Sequence, residues 1–213
     1  MVTDKQEMFR RSIMDAPHLN RLITLAGRAG LLRPRDLASH GIARVYLALA
    51  VQRGLLKKVG RGLYAKAEQP ITEYASLAEA CKRVPRGVLC LLTALRFHEI
   101  GTQNPADVWL AIRVKDRKPT TEHLRLRVVR FSERDMQEGV EERRVGGVTI
   151  RVTNPARTVT DCFRYRNKIG IDVAIEALRE CRRLRLASPS QLAECAKAKR
   201  VFNVIRPYLE AMG

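Results

Sequence analysis

The stretch Gly41-Ile42-Ala43-Arg44-Val45-Tyr46-Leu47-Ala48-Leu49-Ala50-Val51-Gln52-Arg53-Gly54-Leu55-Leu56-Lys57-Lys58-Val59-Gly60-Arg61-Gly62-Leu63-Tyr64-Ala65-Lys66 changes its period halfway along. Residues 42–53 read as a helix stopped at Gly54. Residues 55–59 and 63–66 then read as short strands on either side of Gly60-Arg61-Gly62. Two such runs joined across a glycine-containing turn predict a β-hairpin.

Working outward, His18 to Ala26 places apolar residues at 19, 22, 23 and 26, which is helical spacing, and Gly27 and Gly30 follow where helices stop. Pro34 fits the first turn of a second short helix, and Gly41 closes the turn after it. Three helices followed by a basic hairpin is the order of a winged helix-turn-helix, which we place at residues 1–70.

Past a connector at 67–76, helices are expected at 73–83 and 88–99, punctuated by Pro85, Gly87 and Gly101. Strands are expected at 108–113 and 126–131, with a charged, exposed loop over 115–122. A second hairpin is expected, 141–145 with 148–152, across Gly146-Gly147. From Asn154 the pattern is helical, with Asn154 as cap and Pro155 at the first position. Further helices are expected at 171–185, 190–199 and 201–211, the middle one capped by Ser188. The fold class is therefore α+β. The N-terminal winged helix-turn-helix is followed by a mixed α/β C-terminal domain at 71–213, a small sheet plus helices ending in a helical tail.

Forty Lys and Arg stand against 22 Asp and Glu, a formal net charge of +18. Such a field attracts polyanions, which makes nucleic acid the expected partner. Aromatic residues are only 5% and form no cluster, which argues against stacking on single-stranded RNA. No run of 18 apolar residues exists, so no membrane span is expected. Residues 1–11 lack the apolar core of a secretory signal, and a cytoplasmic location is expected. Five scattered cysteines with no CxxC pair suggest neither a disulfide framework nor a zinc site. No cofactor is expected.

In a winged helix the third helix enters the major groove and the hairpin meets the phosphate backbone. The candidate DNA contacts are accordingly Arg44, Tyr46 and Gln52 on the helix and Lys57, Lys58 and Arg61 on the hairpin. Arg33 and Arg35 join them beside the second helix, whose free N–H groups also suit an anion. The third helix is apolar nearly all round, with Val45, Leu47, Leu49 and Val51. Two explanations stand open: base readout is light and phosphate contact dominates, or part of this helix packs on another surface.

No phosphate-binding loop, HExxH, GxSxG or kinase motif occurs. His18, His40, His98 and His123 are scattered. Asp107, Glu141, Glu142 and Asp161 leave a metal-dependent nuclease as an alternative. Alternation along a strand, however, sends neighbours in the Glu141-Glu142-Arg143-Arg144 run to opposite faces.

Gly41-Ile42-x-Arg44 with Gly54-Leu55-Leu56-x-x-Val59-Gly60-Arg61-Gly62-Leu63-Tyr64 resembles the N-terminal domain of AbiEi-type antitoxins of type IV toxin–antitoxin systems. The second half is similar too, in Thr93-Ala94-Leu95-x-x-His98-x-Ile100-Gly101, Val148-x-Ile150-x-Val152-Thr153 and Pro155-x-Arg157-Thr158-Val159-x-Asp161. The resemblance spans about residues 18–185. It implies a non-enzymatic transcriptional autorepressor that binds double-stranded DNA repeats in its own promoter. It also implies an antitoxin acting against a nucleotidyltransferase-like toxin encoded beside it, without requiring a stable complex. Arg157 and Asp161 carry the match in the antitoxin domain. Read from the residues alone, Asn154, Thr158 and Asp161 cap and tie a helix. The alternative function is an enzyme acting on nucleic acid or on the partner toxin, a nuclease or a modifying enzyme.

Overall fold

Leu19, Leu22 and Ala26 are buried on one side of a helix over 17–29 (α1), as the spacing of their apolar side chains requires. The computed structural model describes residues 17–60, 62–68, 75–120, 124–145 and 148–212. They group into two compact units. The first comprises the chain to Lys82 and Arg144–Val148, the second Arg83–Arg143 and Thr149–Gly213.

In the first unit α1 is followed by a 3-10 helix, Pro34–His40, with Pro34 in its first turn. The Asp36 carboxylate caps it, accepting from the Arg33 backbone N–H at 2.9 Å. Gly41 ends it at φ 61°, a left-handed conformation that costs glycine little. Helix α2 (Val45–Gln52) follows, then β1 (Leu56–Gly60) and β2 (Leu63–Lys66), paired antiparallel with Leu56 opposite Lys66. Leu32 and Tyr64 exchange both backbone hydrogen bonds, at 2.8 and 3.0 Å, which fastens the hairpin to the segment before the 3-10 helix. Leu22, Leu32, Leu37, Leu47, Ala50 and Leu56 form the core beneath. Helix α3 (Ala75–Arg83) completes the unit.

The second unit holds a five-stranded sheet. Its strands are β3 (Val88–Leu89), β4 (Val108–Arg113), β5 (Leu126–Phe131), β6 (Val140–Val145) and β7 (Val148–Thr153), in the order β5-β4-β3-β7-β6. The expected helix over 88–99 is corrected here, because its first two residues are the central strand. Val88 pairs with Ala111 antiparallel and Leu89 with Val152 parallel. Val88, Leu89, Cys90 and Leu91 are all fully buried. A run with no polar face has no period, and sequence cannot separate such a strand from a buried helical turn. Helix α4 (Leu91–Phe97) starts only after this strand, with Leu91 at φ 50°. β4 and β5 run parallel, joined by a connection as long as parallel pairing demands.

Helices α5 (Pro155–Arg164), α6 (Arg166–Ile169), α7 (Ile171–Arg183), α8 (Pro189–Ala198) and α9 (Phe202–Glu210) follow. The Asn154 side chain accepts from the Arg157 N–H, and Ser188 with Gln191 forms a capping box at α8. Helix α5 is the hub, packed against α4, α7, α8 and α9 through Val159, Cys162 and Phe163. Cys81, Cys90, Cys162 and Cys181 are buried as free thiols. Among the described residues no helix is long and apolar enough to cross a membrane.

Candidate nucleic-acid interface

Helix α2 divides cleanly into two faces. Leu47 and Ala50 are buried, with Tyr46 and Leu49 half-buried beside them. The outer face carries Arg44, Val45, Ala48, Val51 and Gln52, all exposed. Val45 is 67% exposed, more than any other large apolar side chain among the described residues. The outward surface of this helix is therefore apolar in the middle and polar at both ends.

Of the residues expected to meet DNA, Arg44 and Gln52 lie on that outer face. Tyr46 does not: it turns inward and stacks on the His18 ring of α1, with centroids 5.0 Å apart. Arg35 is exposed on the 3-10 helix, and Lys58 is exposed on β1, with Lys57 half-buried next to it. Arg33 is engaged inside the unit. Its guanidinium pairs with Asp36 at 3.2 Å and donates to the Lys82 carbonyl at 2.5 Å, while Lys82 Nζ also reaches Asp36 at 3.2 Å. Burial alone would raise the Asp36 carboxyl, but the Arg33 N–H groups and the Lys82 ammonium outweigh it and hold it below its ordinary value. Arg61 lies outside the described residues. Arg53, the residue just past α2, is exposed as well and stands beside Gln52 at that end of the helix.

The charge of this segment is one-sided. Between His18 and Ala67 stand Arg21, Arg28, Arg33, Arg35, Arg44, Arg53, Lys57, Lys58, Arg61 and Lys66, ten in all, against Asp36 alone. That single carboxylate is already paired with Arg33 and Lys82. Arg35, Arg44, Arg53 and Lys58 form no ion pair with any described residue. A surface of this kind holds an unneutralised positive potential that a polyanion can answer.

In the second unit Arg157 and Asp161 are both buried on α5, Nε to Oδ2 at 2.7 Å. Arg157 also lies over the Phe131 ring, 4.9 Å from its centroid, and donates to the Glu138 carbonyl at 2.6 Å. Asp135 gathers Lys199, Arg164 and Arg157 around it. Desolvation pushes the Asp161 carboxyl up to about 6, with Arg157 pulling the other way. Neither residue offers a surface to a partner, and what they contribute here is the seating of α5. The carboxylates of the nuclease alternative do not converge. Asp107 pairs with Arg127 at 2.7 Å, Glu141 with Arg143 at 2.6 Å, and Asp161 with Arg157. Among the described residues no three His, Cys, Asp or Glu side chains are placed to hold a metal ion. His98 Nε2 is hydrogen-bonded to the Thr153 carbonyl at 2.7 Å, and burial lowers its pKa.

These features belong to a mixed α and β protein whose first unit is a small helical domain closed by a hairpin. Residues 20–65, from α1 into β2, match the family model described as transcriptional regulator, AbiEi antitoxin. No curated protein matches the chain. The crystal structure of the RV2827C protein from Mycobacterium tuberculosis is similar in fold. The likeness has a TM-score of 0.52 at 13% identity, over 85% of this chain and 71% of that one.

Proposed function

We propose that the first unit is a winged helix-turn-helix that binds duplex DNA, and that the chain uses it to repress its own promoter. Residues 71–213 act as the antitoxin domain, counteracting a nucleotidyltransferase-like toxin encoded beside it in the cytoplasm. The observation that carries this reading is the one-sided charge of His18 to Ala67, where Asp36 is the only acid and is already neutralised. Arg44 and Gln52 supply groups that can reach base edges from α2, and Arg35 and Lys58 supply phosphate contacts on either side. The match of the first unit to the regulator and antitoxin family supports the same reading.

The test is a reporter gene behind the chain's own upstream region. Co-expression of the chain is expected to silence it, and Arg44→Ala with Gln52→Ala to relieve silencing while the protein stays folded. A reporter indifferent to the wild-type chain would refute autorepression. Co-expression with the adjacent toxin gene tests the antitoxin half, growth being restored only with the chain present.

A further inference from the structure

We infer that α2 reads thymine methyl groups in the major groove, through the exposed row Val45, Ala48 and Val51, so that the operator carries A·T pairs under this helix. This rests on the DNA-binding reading above. The outer face of α2 has no hydrogen-bonding side chain between Arg44 and Gln52. In the major groove the one apolar feature of a base edge is the C5-methyl of thymine, and short apolar side chains are what contact it. Ala48, with nothing past Cβ, lets the middle of the helix approach the groove floor. Val45 and Val51 stand one turn to either side, about 9 Å apart along the axis, which covers two to three base steps. Gln52 on the same face is a residue type that pairs with adenine, the partner of thymine.

Two features favour DNA over another protein as the occupant of this apolar row. Arg44 and Arg53 flank it, and no Asp or Glu occurs anywhere from Leu37 to Ala67. A second copy of the chain docked through α2 would set these arginines against their own images. Three short side chains also fall well short of the roughly 800 Å² per partner that a stable interface buries.

The experiment compares the duplex upstream of the chain's own gene, made with thymine, against the same duplex made with deoxyuridine throughout, and against scrambled sequence. Uracil keeps every hydrogen bond of thymine and lacks only the methyl. Wild-type protein is expected to lose roughly fourfold in affinity for each methyl it covers, hence tenfold or more across two. The Val45→Ala, Val51→Ala double variant is expected to bind thymine and uracil duplexes with nearly the same affinity. A clear preference for the upstream duplex over scrambled DNA with no loss on uracil would overturn the methyl readout and leave DNA recognition standing. A double variant that keeps the full thymine preference would overturn it too, since the methyls would be read elsewhere. No preference over scrambled DNA would remove both readings together.

Discussion

Arg157 and Asp161 sit one helical turn apart on α5, joined Nε to Oδ2 at 2.7 Å, and neither side chain reaches solvent. The pair ties α5 to the segment after β5, because Arg157 also donates to the Glu138 carbonyl and covers Phe131. Removing one member of a buried pair strands the other charge, at a cost of about 3–5 kcal/mol. Arg157→Met, which leaves the Asp161 carboxylate buried without its partner, is therefore expected to destabilise the second unit by that order in urea unfolding. A loss under about 1 kcal/mol would mean the pair is not what seats the helix.

The same pair sets a pH signature. The Asp161 carboxyl is raised to about 6 in the folded state by desolvation, above its ordinary 3.8. Folded protein thus holds an extra proton between these values. Its contribution to stability is complete below about 4 and is lost as pH rises through 6. Asp135 behaves oppositely. Burial raises it, but Lys199 and Arg157 bring it down to about 2, so its contribution is present above 4 and lost on acidification toward 2. The unfolding free energy of the wild type relative to Asp161→Asn should decline from pH 4 to 7, whereas the rising contribution of His98, whose pKa burial lowers, is common to both proteins and cancels. An identical slope in both proteins would contradict the assignment.

Gly139 stands beside this pair at φ +64°, and a Cβ there would lie 3.0 Å from Arg157 Cβ. Both the left-handed backbone and the contact oppose any side chain. Gly139→Ala is expected to lower the melting temperature of the second unit, and a neutral substitution would show that the Arg157 backbone has room to move.

Arg33 and Arg35 are two residues apart and should behave as different kinds of residue. Arg33 is held by Asp36 and the Lys82 carbonyl, whereas Arg35 is exposed and unpaired among the described residues. Arg33→Ala is expected to cost the first unit about 1–2 kcal/mol of stability. Arg35→Ala is expected to leave stability unchanged and to weaken DNA binding with a shallower salt dependence. Thermal melts and titrations at several salt concentrations on both variants separate the two roles. A reversed pattern would show that Arg33 is the phosphate contact.

Much of this architecture is legible in the residues because it is written in local rules. Strands β4 and β5 follow from short runs rich in β-branched and aromatic residues, the hairpin from Gly60-Arg61-Gly62, and the starts of α5 and α8 from Asn154-Pro155 and Ser188-Pro189. What stays hidden depends on the third dimension. β3 is invisible because Val88 to Leu91 is buried on every side and carries no period. The second helix is recognisable from Pro34, but not that it is 3-10. Spacing puts Arg157 and Asp161 on one helix face, yet says nothing of their burial, which depends on Phe131 and Glu138. The same limit applies at the candidate interface. Tyr46 and Arg33 look like Arg44 and Arg35 in sequence, and only His18 and Lys82 reveal that they face inward.

The central claim is that the first unit recognises a particular duplex. Fluorescence anisotropy of purified protein with the duplex upstream of its own gene, against scrambled duplex, at two salt concentrations tests it most directly. Non-specific phosphate binding falls steeply with salt, whereas base readout survives as a preference between sequences. The account predicts tighter binding to the upstream duplex, with the preference retained at the higher salt. Equal binding to both duplexes, collapsing together as salt rises, would contradict it.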